Sequence, residues 1–435
     1  MNKIGLFRNI TLLCALVLIS INLSAHDDDD YDYGTPPNSL PEWEKIQLPA
    51  VDWVRDPNNP DLTRTIHPGC AFTYQTGDPY QFYYKAGDKE KLLIYFNGGG
   101  ACWNDHTCIT SLKIGDRPTY NPSLAEENDP VIAAGILDTN NSKNPFKDWS
   151  MIFLPYCTGD IHIGSKDSVY SDLTGVVTGV PGAPVAVQHK GFDNVLGVKK
   201  WIRKNLKNRR GTSSMDKILL AGSSAGGYGA VFNFAHIKNT FRKAEVDLIS
   251  DSSANILTQN FLDEVFTDGG TWGIENNISL SLPGFDNFGN LDANVLNETF
   301  FGGLASYFPE SQFGQFTPAW DAVQVSFLKI MKNPDNPEKW ADLDVATFCE
   351  WNSRMTQSLS STASNSNYRH YIGEGTIHVG LVDAFAPNRF YSEISGGEAL
   401  PKWVQRITKS DDYEWLNREC TNCAAPFPAE LCQTL

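Results

Sequence analysis

The sequence predicts an α/β fold, a mostly parallel sheet with helices on both faces. Short, continuously apolar runs at residues 91–96, 151–155, 217–221, 246–250 and 368–372 read as buried parallel strands. Residues 193–206 place Val195, Val198, Ile202 and Leu206 on one helical face, a crossover directly ahead of the run at 217–221. That run ends in Gly222-Ser223-Ser224-Ala225-Gly226. A proline-free stretch follows at 228–237, whose Val231, Phe232 and Ala235 share one face of a helix.

A strand, a cramped turn bracketed by glycines and a helix make the setting of a nucleophile elbow, in which Ser224 is the exposed hydroxyl. Small residues flank it because a side chain there would strike the strand or the helix. The fold class sharpens accordingly to α/β-hydrolase-like.

The chain of 435 residues opens on Lys3 and Arg8, then an apolar stretch at 10–23 and the small pair Ser24-Ala25. Residues 1–25 read as an export signal, since about 14 apolar residues fall short of the roughly 20 that span a bilayer. Residues 26–42, with the acidic run from Asp27 to Asp30 and several prolines, read as a solvated disordered linker. The catalytic domain is assigned to 43–435. Within it, 254–340 is rich in Phe, Trp, Gly and Asn without strong strand signals, and reads as an inserted cap over the carboxyl ends of the strands.

The net charge of −16 falls to −18 once Lys3 and Arg8 leave with the signal. An acidic chain with no cluster of Lys and Arg among aromatics argues against nucleic acid as a partner. The densest basic group, from Lys199 to Arg210, alternates with Trp201, Ile202 and Leu206 as one solvated helix face does. With the apolar stretch removed, no stable membrane insertion is expected. Eight cysteines remain after Cys14 is lost, an even count that suits disulfides in a secreted or periplasmic protein. Cys102 and Cys108 are close enough to pair. Cys420-x-x-Cys423 has no second pair or His pair beside it, so a disulfide is favoured over zinc, and the partners of Cys349, Cys420, Cys423 and Cys432 stay open.

Directly after the first clear strand, Asn97-Gly98-Gly99-Gly100-Ala101-Cys102-Trp103 offers backbone N–H groups that can approach a reacting oxygen closely. Neither phosphate-loop pattern is formed there. In the hydrolase plan a second donor follows the nucleophile, here Ala225. If the chain order is serine, acid, histidine, only His236, His370 and His378 qualify as base. His236 stands twelve residues along the helix from Ser224, about 18 Å away. His370 falls inside a strand, whereas His378 lies in the loop beyond it and is chosen. For the acid, Asp251 after one strand and Asp321 at the head of the amphipathic stretch 320–331 are not separated by spacing.

At Asn97–Trp103, at Pro155-Tyr156-Cys157-Thr158-Gly159-Asp160 and at Gly222–Gly227 the chain resembles the pectin acetylesterase and Notum family of serine esterases. Trp320-Asp321-Ala322-Val323-Gln324 is similar to that family's acid motif. The resemblance spans about residues 70–378. It implies Ser224, Asp321 and His378 as the triad, with oxyanion donors from Gly99, Gly100 and Ala225, and no cofactor or metal. It also implies hydrolysis of carboxylic esters through an acyl-enzyme, with O-acetyl groups on a polysaccharide such as pectin as the substrate. A Notum-like or lipase-like deacylase for longer acyl chains and a catalytically silent binding protein of the same fold are the alternatives.

Overall fold

The computed structural model describes residues 42–433 apart from 114–117, 125–127, 209, 213–214, 280–287, 410–413, 422 and 424. The expected signal at 1–25 and all but the last residue of the linker at 26–42 lie outside the described residues.

Nine strands form the main sheet: β1 (Glu44–Gln47), β2 (Gln81–Lys85), β3 (Asp88–Phe96), β4 (Trp149–Leu154), β5 (Lys217–Ser223), β6 (Glu245–Asp251), β7 (Phe313–Pro318), β8 (Tyr368–Gly373) and β9 (Arg418–Glu419). Their order is β1-β2-β4-β3-β5-β6-β7-β8-β9. Strand β2 runs antiparallel to β1 and β4, and every pairing from β4 to β9 is parallel. This is the mostly parallel sheet that the apolar runs predicted.

Alternation along the strands divides the core in two. Leu92, Ile94, Phe96, Ile218, Leu220, Val246 and Leu248 enter one cluster, while Leu93, Tyr95, Leu219, Ala221 and Ile249 enter the other. Helices α1 (Gly191–Asn205) and α2 (Ala225–Thr240) cover the first face. On the second face α6 (Leu400–Ile407) buries Leu400, Trp403, Val404 and Ile407. Between α2 and α6 come α3 (Gln259–Val265), α4 (Ala322–Lys332) and α5 (Val345–Thr362). Three antiparallel ribbons, Asp52–Arg55 with Thr63–Ile66, Lys166–Asp172 with Ala183–His189 and the short Ile394–Ser395 with Glu398–Ala399, lie outside the main sheet among the described residues. Among the described residues, no helix is long and apolar enough to cross a membrane.

The region 254–340 departs from its reading as one strandless cap, because β7 lies inside it, between β6 and β8. The segment between β6 and β7 is the part that leaves the sheet. Phe313-Gly314-Gln315-Phe316-Thr317-Pro318 hides its strand character in a glycine, a buried glutamine and a terminal proline. Gln315 is tolerated at the centre because its amide donates to the Ser253 carbonyl at 3.0 Å and accepts from the Tyr368 hydroxyl at 2.6 Å.

All eight cysteines of the domain are paired: Cys70–Cys157, Cys102–Cys108, Cys349–Cys432 and Cys420–Cys423. The Cys102–Cys108 expectation holds, and the pairing left open at the C terminus is settled. Cys102, Cys108 and His189 stand close enough to suggest a metal cluster. Both sulfurs are spent in the disulfide, and the ring nitrogens of His189 meet the Thr158 carbonyl and the Tyr170 hydroxyl.

Cys70–Cys157 closes a sequence separation of 87 residues. Replacing both by serine is expected to lower the unfolding free energy by about 2–5 kcal/mol. Urea denaturation of the double variant beside the parent chain measures it, and equal midpoints would refute it.

Candidate active site

The parallel register brings the ends of β3, β5, β6, β7 and β8 to one edge of the sheet. Phe96 lies opposite Gly222, Ser223 opposite Asp251, Asp251 opposite Phe316, and Pro318 opposite Gly373. Each strand therefore releases its loop at the same level.

Ser224 occupies the sharp turn between β5 and α2 with φ 57° and ψ −126°, a conformation that side chains rarely adopt. Its amide donates to the Asp251 carbonyl at 2.8 Å, and its own carbonyl accepts from the Gly227 amide at 2.9 Å. The helix crosses β3 so closely that a Cβ on Gly226 would stand 2.0 Å from the Phe96 carbonyl oxygen. Glycine at 226 is the steric condition for the turn, whatever chemistry the serine performs.

Asp321 follows β7 by three residues and caps α4. One carboxylate oxygen accepts from the amides of Val323 and Gln324, both at 3.0 Å, and the other accepts from the Gln324 side chain at 2.9 Å. The carboxyl is fully buried. His378, from the loop after β8, sets its Nδ1 at 2.9 and 2.8 Å from the two Asp321 oxygens. An ionised carboxylate only accepts, so Nδ1 carries a hydrogen, and in the neutral form of the ring the lone pair is left on Nε2. His378 Nε2 is buried and has no partner among the described residues. His378 and Ser224 line the same cavity.

Burial alone would push the Asp321 carboxyl up, but the charge and hydrogen bond of His378, with the bonds from Gln324, hold it below the ordinary aspartate range. The two loops are stitched together as well. The amides of Ala319, Trp320 and Ala322 donate to the carbonyls of Gly373, Gly375 and Thr376 at 2.9, 3.0 and 3.0 Å.

The other candidates fall elsewhere. His370 places Nε2 at 2.9 Å from a Glu419 oxygen, at the β8–β9 edge of the sheet. His236 places Nε2 at 2.6 Å from the Asn277 carbonyl, and burial pushes its imidazole down to about 3. Asp251 makes no bond to the imidazole and instead accepts from backbone amides of the histidine loop.

In the glycine loop, Gly100 has φ 77°, and a Cβ there would lie 1.9 Å from the Thr119 carbonyl oxygen. The amides of Ala101 and Asn121 donate to the carbonyls of Thr119 and Gly99, both at 2.9 Å, and fasten the loop to the neighbouring segment. Gly100 and Ala225 line the cavity beside Ser224; Gly99 does not, and a Cβ on it would face the Tyr156 ring at 2.7 Å. The three expected donors are thus two at the cavity wall and one behind it.

The cavity opens beside Ser224 and His378, and about 610 Å³ of space lies within it and its mouth together, open solvent included. Its walls are Trp103 from the glycine loop, Leu257 and Phe261 from the segment after β6, Phe327 and Met331 from α4, and Trp351 from α5. Sequence reading missed these walls. Val323, Phe327 and Met331 recur at intervals of four, a helical face that could have been read as a lining as easily as a core stripe. Phe385 was missed too: its ring meets His378 edge-on, with centroids 5.3 Å apart, yet is 52% exposed.

Residues 75–270 match the family model described as pectinacetylesterase. Palmitoleoyl-protein carboxylesterase NOTUM of Homo sapiens is 25% identical over 191 residues, covering 42% of this chain and 34% of that protein. Pectin acetylesterase 11 of Arabidopsis thaliana is 28% identical over 162 residues, covering 37% and 36%. The matched part of the chain spans about a third of the length of these curated relatives. A solved structure of the Wnt deacylase Notum from Drosophila aligns with TM-score 0.47 and 16% identity, over 86% of this chain and 93% of that one.

A carboxyl held low stabilises the fold above the ordinary aspartate pKa of about 3.9 and loses that contribution as pH falls through its own lower value. Asp321→Asn is expected to cost about 1–3 kcal/mol at neutral pH and progressively less toward about pH 3. Urea unfolding of both proteins across that interval checks it, and a pH-independent difference would refute it.

Proposed function

We propose, for a chain whose residues 75–270 match the pectinacetylesterase family model, that it hydrolyses carboxylic esters through an acyl-enzyme on Ser224. The observation that carries this reading is the Asp321–His378 pair, whose Nε2, without a partner among the described residues, shares a cavity with the strained Ser224. His378 Nε2 takes the Ser224 proton as Oγ bonds to the ester carbon. The carbonyl oxygen, now negative, is held by the amides of Gly100 and Ala225, and Gly99 shapes the turn that presents them. The C–O bond to the leaving alcohol then breaks, and the alcohol departs with the proton from His378. Water repeats the sequence on the acyl-enzyme, releasing the acid and restoring Ser224. Asp321 orients the imidazole and faces its positive charge.

The apolar cavity supports an acyl group longer than acetyl, because its walls offer carbon surface and almost nothing to bond a hydroxyl. The relative named for palmitoleoyl-protein esters is consistent with such a substrate. The second reading, removal of O-acetyl groups from a polysaccharide, is supported by the description of the matched family and by the plant relative. Four disulfides support action outside the cytoplasm.

A fluorophosphonate probe is expected to label the parent chain at Ser224 and to leave Ser224→Ala unlabelled, with esterase turnover falling about 10⁴-fold or more. No labelling of the parent would favour the silent binding protein. Each methylene buried contributes about 0.8 kcal/mol, about four-fold in kcat/KM. Along p-nitrophenyl esters from acetate upward, kcat/KM is expected to climb by up to that factor per carbon until the cavity is full. Highest activity on acetate, with acetate released from acetylated pectin or xylan, would replace the long-chain reading by the polysaccharide one.

A further inference from the structure

We infer that Asp251, the carboxylate that does not touch the imidazole, is a positioning residue for His378, setting the backbone of the histidine loop while Asp321 sets the ring. This rests on the esterase reading above and goes beyond it. Asp251 ends β6 and is fully buried. Its side chain accepts from the Gly380 amide at 3.1 and 3.0 Å, from the Leu381 amide at 2.9 Å, from the Ser223 hydroxyl at 2.6 Å and from the Ser252 hydroxyl at 2.9 Å. The Ser252 oxygen in turn accepts from the Val379 amide at 3.0 Å. Three consecutive amides after His378 are therefore held by the Asp251–Ser252 pair.

The segment needs holding. Val379 has φ 60° and Ser252 has φ 55°. The left-handed region is strongly disfavoured for a β-branched residue such as valine, and a strained backbone persists only where its surroundings over-determine it. Released, Val379 relaxes toward ordinary dihedrals and turns the preceding residue, His378, with it.

Asp251 also reaches the nucleophile from its other end. Its carbonyl accepts from the Ser224 amide at 2.8 Å, and its carboxylate holds the side chain of Ser223, which takes a further bond from the Tyr95 hydroxyl at 2.7 Å. One residue thus bridges the turn that carries the hydroxyl and the loop that carries the base. Errors in the separation of those two groups are what catalysis tolerates least, since a displacement of about 1 Å costs about 10²-fold in rate.

The test compares Asp251→Asn and Ser252→Ala with the parent chain, using p-nitrophenyl butyrate turnover normalised to sites titrated by a fluorophosphonate. For Asp251→Asn, a titre near one, KM within two-fold and kcat per titrated site down ten-fold or more are expected. For Ser252→Ala, which frees the Val379 amide and leaves Asp251 in place, a fall of three-fold or more is expected. A merely structural role predicts the opposite split, fewer titratable sites with unchanged kcat at each, and that result or wild-type kinetics in both variants overturns the assignment. If Asp251→Asn fails to fold, Ser252→Ala decides alone by the same criteria. A parent chain that is not labelled overturns the esterase reading itself, a different outcome from labelled parent and unaffected variants.

Discussion

The arrangement of the site depends on the parallel register of the strands from β3 to β8. Each pairing places the carboxyl end of one strand beside the carboxyl end of the next, so loops distant in the chain leave the sheet at one edge. The hydroxyl, the carboxylates, the imidazole and the glycine amides come from different strands, and none is brought close by local structure. The hydrophobic faces that lock the register are therefore the origin of the geometry at the edge.

Burying charge at that edge is costly unless every oxygen is answered. Asp321 meets two backbone amides, a glutamine amide and an imidazole, and Asp251 meets two amides and two hydroxyls. The contrast between the two carboxyls follows from their partners. The cationic form of a neighbour, available to Asp321 through His378, holds its carboxyl low, while burial prevails at Asp251 and raises it. Gln324 serves a second purpose by accepting from the Ala254 amide at 2.8 Å, which ties the acid to the segment after β6 that builds the cavity wall.

The far side of that wall is braced by the C-terminal segment. Cys432 is bonded to Cys349 on α5, the helix that presents Trp351 to the cavity. The Trp320 indole, beside Asp321, donates to the Cys423 carbonyl at 2.9 Å and meets Phe427 edge-on. The Asn352 amide of α5 donates to the Ala319 carbonyl at 2.6 Å. The apolar cavity and the acid loop thus share one scaffold, so the shape of the pocket and the position of the carboxylate are mechanically linked.

By itself the sequence determined what depends on neighbours in the chain: the glycine-bracketed turn at Ser224, the triple glycine after β3, the five longest apolar strands and the helices that follow 4-residue spacing. Steric exclusion and periodicity are local, and a few adjacent side chains state them completely. Strand β7 escaped because Gly314, Gln315 and Pro318 are acceptable only once Tyr368 and Ser253 supply the bonds that Gln315 needs. Spacing left Asp251 and Asp321 unseparated and the resemblance at 320–324 pointed to Asp321, whose contact with the imidazole the fold supplies. The pairing of Cys349 with Cys432, the position of Gly99 off the cavity wall and the hydrocarbon lining were decided by the tertiary structure alone. His378 meets Asp321 across 57 residues and Asp251 holds Gly380 across 129. Only the register of the sheet converts such separations into distances.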